Sequence, residues 1–406
     1  MQPGFREAFN AAYTDGLYRD YLRRLLEKTG AESGFRLAET PVFLTPELTG
    51  RLTGAAHGIV EQLVRPGVAE RMKRAIPPEF DAPGMDPLPS LLQVDLAVVS
   101  LPDGSLAPKL IELQGFPSLS AFEVLQAEAW SEALQEVPGL PRGPWSPFFD
   151  GFTKETFLEL FRRVVVGDRD PETVVLMDLH PEQQKTWIDF ESTRRLLGVD
   201  PVCPTSVEKE GRKLFRRKGG RRVPIERIYN RIVFDELLAK RTPLPFDFRD
   251  DLDVTWAPHP NWYWTFSKYS LPLLDHPAVP RSTYVSELGG VPADLTARYV
   301  LKPLFSFAGG GVNVEPTAAD LERIPEAERD GWCLQEKIVY EPCIRAVDGG
   351  GVKVEVRMMF YRPEGSREMT LALNLCRLSR GKMLGVDFNK DFTWVGSSVA
   401  LSAPAV

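Results

Sequence analysis

Histidine is scarce in this chain, with four in 406 residues, scattered and without the spacing of a zinc site. Cysteine is equally scarce. Cys203, Cys333, Cys343 and Cys376 stand far apart with no CxxC, which excludes a disulfide framework and leaves a reduced, cytoplasmic setting as the expectation. No apolar run approaches the ~20 residues that a membrane-spanning helix needs. The N-terminal MQPGFREAFNAAYTDGLYRD interleaves charges with aromatics and holds no signal-peptide block. Basic charge is not in surplus either: the net charge of −7 argues against a nucleic-acid partner. No Ser/His/Asp or Cys/His constellation can be assembled, so a nucleophilic hydrolase is a poor fit. What remains is a chain of ordinary globular composition, 43% hydrophobic and 26% charged, long enough for two or three packed domains.

Residues 1–90 read as a helical region, from the helical spacing of apolar positions in YRDYLRRLLEKTG and LTGAAHGIVEQLVRPGVAERMKRAI. Two strand-like runs follow, LLQVDLAVVSL and APKLIELQGF, joined by the turn Pro102-Asp103-Gly104-Ser105. With the helix LSAFEVLQAEAWSEALQEV and a Pro-rich stop they make a second region, 91–170. Over 171–250, VVLMDL, the amphipathic EQQKTWIDFESTRRLLG and a β segment from Val199 predict a βαβ unit with a small parallel sheet. RKLFRRKGGRR, from Arg212 to Arg222, reads as a solvated hairpin closed by Gly219-Gly220 in preference to a phosphate site. Residues 251–406 carry a glycine-rich loop and several strands.

The sharpest local signal is YVLKPLFSFAGGGVNVEP. A strand delivers Lys302, and a loop ends in Gly309-Gly310-Gly311. Successive glycines let backbone N–H groups approach an anion, and a lysine neutralises phosphate oxygens. No GK[ST] follows, so this is not a P-loop; alone it reads equally as a flexible β-turn. Upstream, Lys268 opens a short helix; downstream, GWCLQEKIVYEP ends a strand at Gln335-Glu336-Lys337-Ile338, with Glu341 beyond. Such a strand end offers backbone groups to a purine edge and a carboxylate to a ribose. For magnesium, which takes oxygen ligands, two sets compete. Asp95 on one strand with Glu112 and Gln114 at i, i+2 on the next is preferred, because alternate strand residues share a face. Asp387 and Asn389 in GVDFNKD are the alternative. Glu355 and Arg357 alternate along VKVEVRMMF, and Arg377 lies in LNLCRLSRG; these are either site residues or a cross-strand ion pair on a solvated face. Ser118 and Ser120 sit where a helix begins, either as caps or as substrate contacts.

A lysine, a second lysine before a glycine-rich hairpin, and a strand-end hinge, in this order, resemble the nucleotide clamp of the ATP-grasp superfamily. Metal strands placed ahead of the clamp resemble its circularly permuted branch, which includes eukaryotic-type glutathione synthetase and glutathionylspermidine synthase. IELQGFPSLSAF is similar to that family's Ile-Glu-x-Asn strand and serine-bearing loop, IERIYNRI to its return strand, and YVLKPLFSFAGGGVN to its lysine-proline-glycine triplet loop. Two departures stand out: Gln114 replaces Asn, and no acid matches the one that relatives carry near the start of the glycine loop.

The resemblance implies an α/β (α+β) protein: a circularly permuted ATP-grasp fold with an interposed parallel-sheet substrate domain over 171–250, N-terminal helices, and a nucleotide-binding region over 251–406 whose glycine-rich hairpin is the lid. It implies ATP and Mg2+ as cofactors. Lys268, Lys302, Gly309, Gly310, Gly311, Gln335, Glu336, Lys337, Ile338 and Glu341 then hold the nucleotide, and Asp95, Glu112 and Gln114 the metal. Lys302 and Arg377 serve the chemistry, while Ser118, Ser120, Glu355, Arg357 and Asn389 face substrate. The implied reaction joins a small-molecule carboxylate to an amine (amino acid, peptide or polyamine) through an acyl-phosphate. Neither nucleic acid nor membrane is an implied partner, and a homodimer is the family's habit. The alternatives are a non-catalytic ATP-binding regulatory or scaffold protein, favoured by the two departures, and a phosphotransferase, which would need a phosphohistidine loop that this sequence lacks.

Overall fold

A computed structural model describes residues 1–304, 311–381, 389 and 391–404. The chain opens with helices α1 (Pro3–Ala12), α2 (Asp15–Thr29), α3 (Pro46–Leu63) and α4 (Pro66–Met72). Their ends follow local chemistry. Thr14 and Thr45 accept from the backbone N–H groups of Leu17 and Leu48, and Gly30 closes α2 at φ 72°. These helices build no core of their own. Phe9, Tyr21 and Leu52 share one core with Val94, Val356 and Leu373 of the central sheet. Tyr21 stacks on Trp130 with ring centroids 3.9 Å apart.

The central sheet is antiparallel. Strands β1 (Leu91–Ser100) and β2 (Leu106–Gln114) form a hairpin and lead into helices α5 (Ser120–Leu134) and α6 (Lys154–Val165). A parallel unit follows: β3 (Val174–Met177), α7 (Trp187–Leu197), β4 (Asp200–Val202), β5 (Arg227–Asn230) and β6 (Thr255–Ala257). A small antiparallel sheet comprises β7 (Ser282–Tyr284), β8 (Tyr299–Pro303) and β9 (Trp332–Glu336). The chain then returns to the central sheet with β10 (Gly351–Tyr361), β11 (Thr370–Ser379) and β12 (Gly396–Ser398), giving the order β12-β11-β10-β1-β2 with Ile344–Arg345 paired to β10. The early hairpin β1–β2 and the late strands β10, β11 and β12 thus share one sheet.

On β1, Leu92, Val94, Leu96 and Val98 enter the core, and the alternate positions Gln93 and Asp95 are buried on the other face. Between Asp95 and Leu96 the register with β2 slips: Asp95 faces Glu112, but Leu96 faces Leu110. Ile111 is the extra residue, a bulge that bends the strand just before Glu112.

The parallel sheet runs β4-β3-β5-β6, as expected for a βαβ unit, with Gly198 ending α7 at φ 74°. The basic segment is a hairpin in which Lys218 faces Arg221 across Gly219 (φ 54°) and Gly220 (φ 79°), the positive φ values that a two-residue turn requires. Most of its cations are already paired: Arg216 and Lys218 with Asp200, Arg217 and Arg222 with Glu208, Arg221 with Glu172. In the small sheet, paired Leu301 and Leu334 pack on Leu295, Leu321 and Ile324, while paired Lys302 and Cys333 lie on the opposite face. Among the described residues no helix is long and apolar enough to cross a membrane.

Candidate active site

Register brings the polar residues of the central sheet together. Asp95 lies between Arg357 on β10 and Glu112 on β2, and Glu355 faces Arg377 on β11. Asp95 is fully buried. Arg357 donates to both of its oxygens, Nε to Oδ1 and Nη2 to Oδ2, each at 2.6 Å, and Arg377 Nη2 donates to Oδ2 at 2.5 Å. The same Arg377 nitrogen donates to Glu355 Oε1 and stands 3.8 Å from Glu112 Oε1. Glu355 Oε2 accepts from Tyr340 Oη at 3.0 Å. The anticipated Glu355–Arg377 cross-strand pair therefore exists, but Glu355 is 1% exposed and the pair belongs to a buried network.

The small sheet and the segment before it supply the lysines. Lys302 Nζ donates to the carbonyl of the bulged Ile111 at 3.1 Å, and Lys268 Nζ lies 4.0 Å from Glu112 Oε2. Gly115 permits this approach. Its N–H donates to Phe266 O at 2.8 Å, and a Cβ there would stand 2.2 Å from the Trp262 carbonyl oxygen. Gln114 Nε2 donates to Glu112 Oε1 at 2.9 Å.

Electrostatics follow from these contacts. Burial pushes the Asp95 carboxyl up, but Arg357 and Arg377 outweigh it and hold Asp95 below the ordinary carboxylate range. Burial, with Asp95 and Glu112 adding to it against Arg377, raises Glu355. Burial lowers Lys302 and, with Glu355 beside it, lifts Tyr340 well above its usual range.

Other anticipated residues lie apart from this network. Gln335, Glu336, Lys337, Ile338 and Glu341 form the end of β9 and its exit. Lys337 Nζ donates to Thr296 O at 2.5 Å, Glu336 accepts from Arg298 at 3.2 Å, and the Glu341 N–H donates to Val98 O on β1 at 3.0 Å. Gln335 is buried with its Nε2 unpartnered among the described residues. Gly311 has φ 72°; Gly309, Gly310 and Asp387 lie outside the described residues. Asn389 Oδ1 accepts from Ser379 Oγ and from the N–H groups of Arg380 and Gly381, fastening the turn after β11. Neither Ser118 nor Ser120 caps α5. Ser120 Oγ accepts from Tyr361 Oη at 2.9 Å, and Asp189 of α7 takes the α5 N–H groups of Ala121 and Phe122, both at 3.0 Å. Asp189 also accepts from buried Arg231, which follows β5, so one carboxylate joins the parallel unit to the helix after Gln114.

The fold has a counterpart among solved structures. The chain is similar to a glutathione synthetase-like effector from Globodera pallida in its apo form, with a TM-score of 0.55 and 12% identity over 96% of this chain and 98% of that one. The fold is mixed α/β with several sheets, consistent with an ATP-grasp-like architecture. At that identity the likeness speaks for the fold alone. No protein-family model matches the sequence, and no curated protein matches it.

The motif resemblance of the sequence implies a nucleotide and a divalent ion, and the donors answer differently to each. Lys302 from the small sheet, Lys268 from the helical turn before it and Arg377 from the central sheet converge and suit phosphate oxygens. The carboxylates do not fit a divalent ion as they stand. Asp95 is held by two guanidinium groups, Glu355 by Arg377 and Tyr340, and Glu112 by Gln114. Among the described residues no three His, Cys, Asp or Glu side chains are grouped to hold a metal ion.

Tyr340, the Ile111 carbonyl and Asp189 escaped the sequence reading. Only Ile111 left a trace: Leu110 and Ile111 are consecutive apolar residues just ahead of the alternation Glu112-Leu113-Gln114.

Proposed function

We propose that this chain is an ATP-dependent carboxylate–amine ligase working through an acyl-phosphate. The observation that carries the reading is the convergence of Lys268, Lys302 and Arg377 on the polar face of the central sheet. These residues are proposed to hold the β- and γ-phosphates of ATP between the two sheets, with the β9 exit against the base. A substrate carboxylate oxygen attacks the γ-phosphorus and ADP leaves. The free amine then attacks the acyl carbon, loses a proton and expels phosphate. The three cations neutralise charge on the transferred phosphoryl group and keep nucleophile and phosphorus in line, where a preorganised site gains most over water. Arg377, one-third exposed at the edge of the network, is the residue proposed to meet the substrate carboxylate.

The engagement of all three carboxylates by arginine, tyrosine or amide groups favours a second reading, a nucleotide-binding protein without turnover. One experiment separates the two. ADP and phosphate release is followed with Mg-ATP across pooled amino acids, short peptides and polyamines, beside Glu112→Ala and Lys302→Ala. Release that needs both an acid and an amine, and is lost in both variants, supports the ligase. ATP binding without release under any pool supports the second reading, and absence of ATP binding defeats both.

A further inference from the structure

Magnesium at a phosphate site is held by one or two protein carboxylates as well as by the phosphates, with ligand oxygens at about 2.0–2.1 Å. The carboxylates of the central sheet are engaged otherwise. Both Asp95 oxygens accept from Arg357, and Oδ2 accepts from Arg377 as well. Glu355 gives Oε1 to Arg377 and Oε2 to Tyr340. Glu112 Oε1 accepts from Gln114, and its Oε2 has the Lys268 ammonium 4.0 Å away, where a doubly charged ion would be repelled. Register fixes the arginine partners, because Arg357 faces Asp95 and Arg377 faces Glu355 across neighbouring strands.

The same groups suit a polyphosphate by itself. Three carboxylates, Asp95, Glu112 and Glu355, stand against four cations, Arg357, Arg377, Lys268 and Lys302, which leaves one positive charge in surplus. Glu123 of α5, also beside Arg357, is fully buried with neither oxygen partnered among the described residues. Burial pushes it well above the ordinary carboxylate range, so it adds no negative charge. Burial likewise raises Glu355 and lowers Lys302, and a phosphate oxygen nearby favours the protonated form of each. Arg377 meets Asp95 and Glu355 through Nη2, and its side chain is 36% exposed, so the guanidinium can take a further anion while keeping both carboxylates. Lys302 Nζ donates to the Ile111 carbonyl, and an ammonium has two further hydrogens to give.

We infer that this site takes the polyphosphate of its nucleotide as the free anion, neutralised by Lys268, Lys302 and Arg377, with no divalent ion bridging it to the protein. Asp95 and Glu355 hold the arginines in place and are not ligands themselves. A magnesium ion carried in on ATP cancels part of the charge on which the three cations act, so metal-free ATP binds at least as well as Mg-ATP. The inference rests on the nucleotide site proposed above and adds the form in which the ligand enters it; it does not depend on turnover.

The test is ATP binding to the full chain by calorimetric titration, in excess Mg2+ and in EDTA at matched ionic strength. The Kd in EDTA is expected to lie within about threefold of that in Mg2+, or below it. A larger rise in EDTA overturns the inference and leaves the nucleotide site standing, whereas no binding in either medium defeats both. Lys302→Gln locates the anion. It is expected to lose about tenfold or more of the affinity in EDTA, as befits a lost charged contact. A smaller loss overturns the inference, because ATP is then held elsewhere. Should that variant not fold, hydrogen exchange of the wild-type chain in EDTA decides. ATP is expected to slow the amides of β8 and of the Lys268–Leu273 turn. Exchange there that ATP leaves unchanged overturns the inference.

Discussion

Arg357 meets Asp95 through two parallel hydrogen bonds of 2.6 Å where neither side chain reaches water. Such a pair adds little net stability, because desolvation offsets attraction, but breaking one half strands the other. Arg357→Met is expected to lower unfolding free energy by about 3–5 kcal/mol, and adding Asp95→Asn to recover part of that loss. Urea denaturation of the single and double variants measures this; a double variant as unstable as the sum of the singles refutes the coupling. Asp178, at the end of β3, carries a different signal. Burial, opposed by Arg231, pushes its carboxyl up to about 7, whereas in the unfolded chain it titrates near ~3.9. Between these values the folded state keeps a proton that the unfolded state has lost. Its contribution to stability therefore falls as pH rises from about 4 to about 7 and stays lost above. Asp178→Asn is expected to gain on the order of 2–4 kcal/mol over wild type at pH 8 and nothing at pH 4. Equal urea midpoints of the two proteins at both pH values would count against a buried neutral acid.

Elements position the site through close contacts that only small or bulged residues allow. Gly115 lets the end of β2 run against the Trp262–Thr265 helix that leads to Lys268. Gly115→Ala must part these segments. It is expected to cost about 1–3 kcal/mol, as overpacking does, and to weaken ATP binding by pulling Lys268 from Glu112. Calorimetric titration with an ATP analogue would check the second effect, and unchanged affinity in a folded variant would separate Gly115 from the site. Much at this scale was legible. The alternation of Glu355 and Arg357, the βαβ unit, the diglycine hairpin and the lysine strand all follow from period and turn chemistry. Register was not. Nothing local says that Arg357 faces Asp95, or that Asp189 of a helix with an ordinary amphipathic pattern caps another helix 67 residues earlier. Such pairings are set by how strands and helices from distant segments dock. For the same reason the sequence marks carboxylates as free donors that the fold surrounds with arginine.

The whole molecule divides its apolar interior unevenly. The helices of residues 1–72 read as helices from spacing alone, but spacing does not say which surface takes their apolar faces; here they complete the core of the central sheet. The small sheet of β7, β8 and β9 has the modest cluster of Leu295, Leu301, Leu321, Ile324, Leu334 and Val285 on one face, and on the lysine-bearing face the still smaller cluster of Tyr284, Leu304 and Cys333. Local stability follows buried apolar contact, so this sheet should open well before the central one. Hydrogen exchange is expected to show amides of β1, β10 and β11 exchanging only with global unfolding, and those of β8 and β9 through a smaller opening. If that opening is how nucleotide enters, an ATP analogue at a hundred times its Kd should stabilise the closed form by about 2.7 kcal/mol, slowing β8 and β9 amides roughly 100-fold. Protection that rises equally in every strand would mean that the ligand acts on global stability alone. Protection in β8 and β9 that already matches β10 in the free protein would remove the small sheet as the moving part. A rise confined to β8, β9 and the residues around Lys268 would mark the surfaces that close on the nucleotide.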